Sequence, residues 1–214
     1  MNKEEIYAHI DHTLLKAFST FEGIDKICKQ ALQYHTASVC IPPSYVKRVH
    51  ESYPNLNICT VIGFPLGYNT TAVKCFEAQE AIKEGASEID MVINIAELKN
   101  GNYDYVLNEI RELRYTCGNN ILKVIIETCY LTEEEKIKMC ELVNMSGADY
   151  IKTSTGFGTN GATREDIKLF KEHIGSEVKM KAAGGVKTQE DLDAFLELGC
   201  DRIGTSQAID LLNS

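Results

Sequence analysis

Eight times along the chain, a short apolar run rich in β-branched residues gives way to a segment with helical periodicity. The runs are His9–Leu14, Ala37–Ile41, Ile58–Ile62, Ile89–Ile93, Leu122–Glu127, Tyr150–Ser154, Val178–Ala182 and Arg202–Thr205. Strands that are apolar without alternation are buried on both faces, the condition of a parallel sheet covered by helices. Between the runs, Ile24, Ile27, Cys28, Ala31 and Leu32 recur at helical spacing, as do Val106, Leu107, Ile110 and Leu113, and then Ile167, Phe170 and Ile174. The alternation predicts an α/β chain, and eight units predict a single-domain (β/α)8 TIM barrel over residues 1–214. The competing arrangement is an open, doubly wound sheet. It is weakened because no G-x-G-x-x-G follows the first run. With 214 residues shared among eight units, loops have to be short and a lid domain is excluded.

Local signals place the helix ends. Ser19/Glu22, Thr132/Glu135, Thr163/Asp166 and Thr188/Asp191 carry the capping-box pattern, a hydroxyl three residues before an acid. Gly85, Gly147 and Gly199 each end a helix as left-handed caps and lead through a short turn into Ile89, Ile151 and Ile203. The residue after that Ile holds the same place in each unit. With Ile facing the helices, Asp90, Lys152 and Gly204 face the barrel interior.

An interior lysine is out of place in a core. Burial opposes the ammonium form, and a second cation nearby opposes it further. Lys152 and Lys181 lie on consecutive strands and are predicted neighbours, with Asp90 in the same cavity. Both lysines are therefore expected to have lowered pKa values, and a free amine near neutral pH is what a Schiff-base nucleophile requires. The plainer alternative is a buried Asp–Lys–Lys network that only holds the barrel together. Stability alone explains such a network poorly, because buried ion pairs are weak stabilisers. Lys123 is a third strand lysine and could equally be a structural partner of a carboxylate. Gly184-Gly185 ends the seventh run and Gly204-Thr205-Ser206 the eighth. In barrels, a phosphate commonly binds backbone N–H groups at the loops after these two strands.

The chain has 22 Lys+Arg against 31 Asp+Glu, a formal charge of −9, which speaks against a nucleic-acid surface. Whole-chain charge does not decide the charge of an interior site. The eight cysteines form no C-x-x-C pair, so reduced thiols are expected, with neither a structural zinc nor a disulfide framework. The first residues contain no apolar leader core and no run reaches a membrane span. A cytoplasmic protein without membrane association is expected.

Five segments together resemble the deoxyribose-phosphate aldolase family. They are Asp11-His12-Thr13-Leu14-Leu15, Glu88-Ile89-Asp90, Leu122–Thr128, Ile151-Lys152-Thr153-Ser154-Thr155-Gly156 and Val178–Val186. The resemblance runs from about residue 9 to residue 206. It implies a class I, cofactor-free and metal-free lyase acting on a phosphorylated sugar. Such an enzyme reversibly cleaves 2-deoxy-D-ribose 5-phosphate to D-glyceraldehyde 3-phosphate and acetaldehyde. It also implies that Lys152 forms the Schiff base, that Lys181 perturbs it, and that Asp90 relays protons. Asp11, Thr13, Cys40, Thr155 and Gly156 are expected at the substrate. Gly184, Gly185, Gly204, Thr205 and Ser206 are expected at its phosphate, with Lys187 as a helper. A homo-oligomer, dimer or tetramer, is compatible with the family. Two departures stand out: Phe157 occupies a position where some relatives carry Lys, and the sequence stops at Asn213-Ser214, before the aromatic-ended tail of some relatives. No tail contribution to the site is expected. Another Schiff-base sugar-phosphate aldolase, a transaldolase-like enzyme and a non-catalytic sugar-phosphate barrel are the competing readings.

Overall fold

A computed structural model of the chain describes residues 1–213. Its eight strands are β1 (Ile10–Thr13), β2 (Ser38–Ile41), β3 (Ile58–Ile62), β4 (Glu88–Val92), β5 (Ile121–Ile125), β6 (Tyr150–Lys152), β7 (Lys179–Ala183) and β8 (Arg202–Thr205). They pair in chain order, all parallel, and β8 returns to β1 with Gly204 beside Asp11, which closes the barrel. Every residue of β2, β3, β4 and β6 is buried, as the unbroken apolar runs require. The strand bounds differ from the sequence reading by a few residues at most. β5 and β6 each stop two residues early, β6 at Lys152 because Thr153 and Ser154 already belong to the loop.

Helices α2 (Phe21–Tyr34), α3 (Val46–Ser52), α4 (Thr71–Lys83), α6 (Tyr103–Cys117), α7 (Glu133–Ser146), α8 (Arg164–His173), α9 (Gln189–Glu197) and α10 (Ala208–Asn213) follow the strands in turn. Two short helices were not expected: α1 (Lys3–Tyr7) before the barrel and α5 (Ile95–Lys99) after β4. Thr132 and Thr188 form complete capping boxes, and Thr163 caps α8 through the Asp166 N–H. Ser19 does not cap α2. Thr20 does, accepting from the Gly23 N–H, because the extended backbone of Thr20 aims its hydroxyl at the first turn. Leu32 sits at the edge of the α2 stripe and is exposed, whereas Ile24, Ile27, Cys28 and Ala31 are buried. Gly85, Gly147 and Gly199 all have positive φ, although only Gly147 is itself the cap and the other two lie one residue further on. All eight cysteines are unpaired. Among the described residues, no helix is long and apolar enough to cross a membrane.

One charged pair is buried outside the barrel. Lys74 of α4 donates to Glu109 of α6 and to the Val92 carbonyl at the end of β4, each at 2.8 Å. Glu109 also accepts from the Asn94 N–H at 3.0 Å. Burial pushes the Lys74 amine down and the Glu109 carboxyl up, and the attraction within the pair works against both shifts. Removing one member of such a pair leaves a buried charge uncompensated, at about 3–5 kcal/mol. Lys74→Met is therefore expected to lower unfolding free energy by about 3 kcal/mol, and Lys74→Met with Glu109→Gln to recover most of it. Denaturant titration of the three proteins checks this. A single variant no less stable than the double would contradict it.

Candidate active site

Parallel register brings the charged strand residues to one level of the interior. Asp90 stands beside Lys123, Lys152 beside Lys181, and Lys181 beside Arg202. Asp90 Oδ2 accepts from Lys152 Nζ at 2.7 Å and from Lys181 Nζ at 2.8 Å. Its other oxygen accepts from Lys123 Nζ at 2.9 Å and from the Cys59 thiol at 3.1 Å. Asp11 pairs with Lys181 through Oδ2, while its Oδ1 accepts from Ser38 at 2.8 Å and Arg202 at 2.7 Å. Glu88 accepts from Lys123 at 2.5 Å and from both terminal nitrogens of Arg202. The network thus holds three lysines, one arginine and three carboxylates.

The electrostatics correct one expectation. Burial alone would push Lys181 down, but the Asp11 and Asp90 carboxylates outweigh it and hold the amine well above the ordinary lysine range. Lys123 is raised in the same way, with burial opposing and Asp90 leading the carboxylates that raise it. Burial would push Asp90 up, yet Lys123, Lys152 and Lys181 hold it well below the usual carboxylate range. The two carboxylates therefore favour the ammonium form of Lys181. The sequence showed its lysine neighbour but not Asp11, which lies far away in the chain and adjacent in the barrel.

Above this network a cavity of about 370 Å3 opens at the C-terminal ends of β1, β6, β7 and β8. Of the network residues, Lys152 alone lines it. The lining carries three lysines, Lys16, Lys152 and Lys187, and no carboxylate. Thr13, Thr155, Gly156, Gly184, Gly185, Lys187, Gly204, Thr205 and Ser206, expected at the substrate or its phosphate, all line the cavity. Asp90 and Lys181 lie beneath its floor. Asp11 and Cys40, expected at the substrate, do not line it either. Asp11 is drawn down by Lys181 and Arg202. Cys40 packs with Cys59 and Val61, and their contact lowers the Cys40 thiol while burial raises that of Cys59.

The rim is shaped by close backbone packing. Gly184 has φ +78°, and a Cβ on Gly161 would fall 2.2 Å from its carbonyl oxygen. Only glycine fits at 161. Glu127, buried and itself at φ +52°, accepts from the N–H and the hydroxyl of Thr155. Thr155 Oγ1 in turn accepts from the Phe157 N–H at 3.0 Å. These contacts fix the 153–163 loop against the cavity.

Arg202, Glu88, Glu127, Gly161 and Lys16 were not singled out from sequence. Arg202 and Glu88 begin their strands, and nothing local distinguishes them from exposed strand ends. The left-handed backbone of Glu127 has no signal in the sequence. Two donor groups, Cys40–Cys59–Asp90 and Asp11–Cys59–Glu88, have ligand atoms within 4.8 Å of one another. Their carboxylates already serve three lysines and one arginine, so a metal ion would meet like charge there.

Residues 6–206 match the DeoC/LacD family of aldolases. A protein named deoxyribose-phosphate aldolase from Clostridium botulinum (strain Alaska E43 / Type E3) is 62% identical over 213 residues, covering 99% of this chain and 96% of that protein. Another of that name, from Clostridioides difficile (strain 630), is 58% identical over 99% of this chain and 97% of its own. A solved structure described as a unique tetrameric structure of deoxyribose phosphate aldolase from Aeropyrum pernix superposes with a TM-score of 0.93 at 28% identity, covering 100% of this chain and 92% of that one. With that span and those identities, the chain belongs to the DeoC/LacD family of aldolases.

Proposed function

We propose that residues 1–214 act as one class I aldolase domain that reversibly cleaves 2-deoxy-D-ribose 5-phosphate to D-glyceraldehyde 3-phosphate and acetaldehyde. One observation carries the reading: Lys152 is the network amine that reaches the cavity, and Asp90 stands 2.7 Å behind it. Family membership and the name shared by relatives at 62% and 58% identity support the same substrate.

The charge count favours Lys152 as nucleophile. Lys123 has close carboxylate contacts to Glu88 and Asp90, Lys181 is shared between Asp11 and Asp90, and Arg202 does not give up its proton. Lys152 has one carboxylate partner, which it shares. With three carboxylates present, the interior is neutral when one amine is free, and Lys152 is the amine with the weakest claim on a counter-charge.

In the proposed reaction, the free Lys152 amine attacks the aldehyde carbon of the open-chain sugar and water leaves. The resulting protonated imine at C1 draws electrons from the C2–C3 bond. That bond breaks as the C3 hydroxyl loses its proton, and glyceraldehyde 3-phosphate departs. The enamine left on Lys152 takes a proton at carbon, and hydrolysis frees acetaldehyde and the amine. Asp90, in contact with Lys152 and Lys181, is placed to pass these protons, through a water where the distance requires one. The phosphate is assigned to the backbone of Gly184, Gly185 and Gly204–Ser206. We further infer a cytoplasmic, metal-free homo-oligomer, a dimer or tetramer, from the free thiols and from the tetrameric Aeropyrum pernix relative.

Side-by-side assays with 2-deoxyribose 5-phosphate and fructose 1,6-bisphosphate test the substrate. The expected result is formation of acetaldehyde and glyceraldehyde 3-phosphate from the first only. Cleavage of the bisphosphate in preference would refute the assignment. Lys181→Met is expected to reduce turnover by about 100-fold or more, because Asp90 loses a fixed cation and its place in the proton path. Steady-state kinetics alongside a thermal melt checks this, and near-normal turnover in the folded variant would contradict it.

A further inference from the structure

Lys16 follows β1, yet its ammonium lies 5.4 Å from the ring centroid of Phe157, which follows β6. In the barrel order β7 and β8 stand between those strands. The Lys16–Phe157 contact therefore spans the mouth of the cavity, whose lining both residues share with Gly184, Gly185 and Ser206. Lys16 is exposed, lines the cavity, and pairs with no carboxylate among the described residues. Phe157 is fixed by an edge-on contact with Phe64, ring centroids 5.3 Å apart at 87°, and by the bond from its N–H to Thr155. A solvent-exposed cation over a phenyl ring is held weakly, so an anion entering the mouth competes for it on favourable terms.

Lys187 completes the arrangement. It follows β7, whereas Lys16 follows β1, and β8 pairs with both of those strands. The two cations flank the β8 loop from opposite sides. The backbone there supplies N–H donors but no charge, and Phe157 supplies none.

We propose that Lys16 is a specificity-determining residue that closes over the mouth onto the substrate's phosphate dianion, with Phe157 as its resting contact. This rests on the function proposed above and extends it to a residue outside the catalytic network. The ammonium acts on a group remote from the breaking bond, so its effect falls on binding and not on the chemical step.

The test compares wild type, Lys16→Met and Lys16→Arg on 2-deoxyribose 5-phosphate and on unphosphorylated 2-deoxyribose. Methionine keeps much of the chain length and removes the charge. Lys16→Met is expected to raise KM for the phosphorylated sugar by about tenfold with kcat nearly unchanged, and to leave 2-deoxyribose cleavage as in wild type. Lys16→Arg is expected to restore most of the loss. Equal effects of Lys16→Met on both sugars, or an unchanged preference for the phosphorylated one, would overturn this inference while leaving the proposed aldolase intact. A wild-type protein that cleaves neither sugar would overturn the aldolase reading and this inference with it.

Discussion

Asp90 Oδ2 accepts hydrogen bonds from the side-chain nitrogens of two lysines, Lys152 at 2.7 Å and Lys181 at 2.8 Å, in the interior of a closed barrel. A carboxylate in that position would be costly alone, and so would either lysine. Each is tolerable only because the others are present at bonding distance. The barrel is what keeps them there. Parallel register fixes Lys152 beside Lys181, and closure of β8 onto β1 carries Asp11 to the far side of Lys181. The network depends on residues from β1, β4, β5, β6, β7 and β8, so the fold and the site cannot be separated.

This constraint divides the amines by role. Lys123 and Lys181 are enclosed by carboxylates and held as cations, which makes them part of the fixed field. Lys152 is the one that ends at the cavity. The floor of the site is then an electrostatic device and the rim a geometric one, built from Gly161 against Gly184 and from Glu127 against Thr155. The exterior is acidic, at −9 overall, while the cavity lining carries three lysines and no acid.

Much of the architecture was legible because its signals are local. Apolar strand runs, the positive-φ glycines after helices and the Thr132 and Thr188 capping boxes each act within a few residues, and the structure contains them, with Gly85 and Gly199 one residue beyond the cap. The interior facing of Asp90 and Lys152 followed from strand alternation. Two things were not legible. The ionisation of Lys181 depends on Asp11, which is 170 residues away in sequence and in contact in space. The placement of Arg202 and Glu88 at the base of the network depends on register, which no local pattern specifies. For the same reason, Asp11 was expected at the substrate and lies below the floor. Ser19 was read as a cap one residue early because Ser19 and Thr20 both carry hydroxyls, and backbone conformation chooses between them.

The central claim is that Lys152, and no other interior lysine, presents a free amine to the cavity. Incubation with acetaldehyde and borohydride, followed by peptide mapping, tests it most directly. The account predicts a stable adduct on Lys152 alone, with Lys123 and Lys181 unmodified and no adduct in Lys152→Ala. An adduct on Lys123 or Lys181, or undiminished trapping in Lys152→Ala, would contradict it.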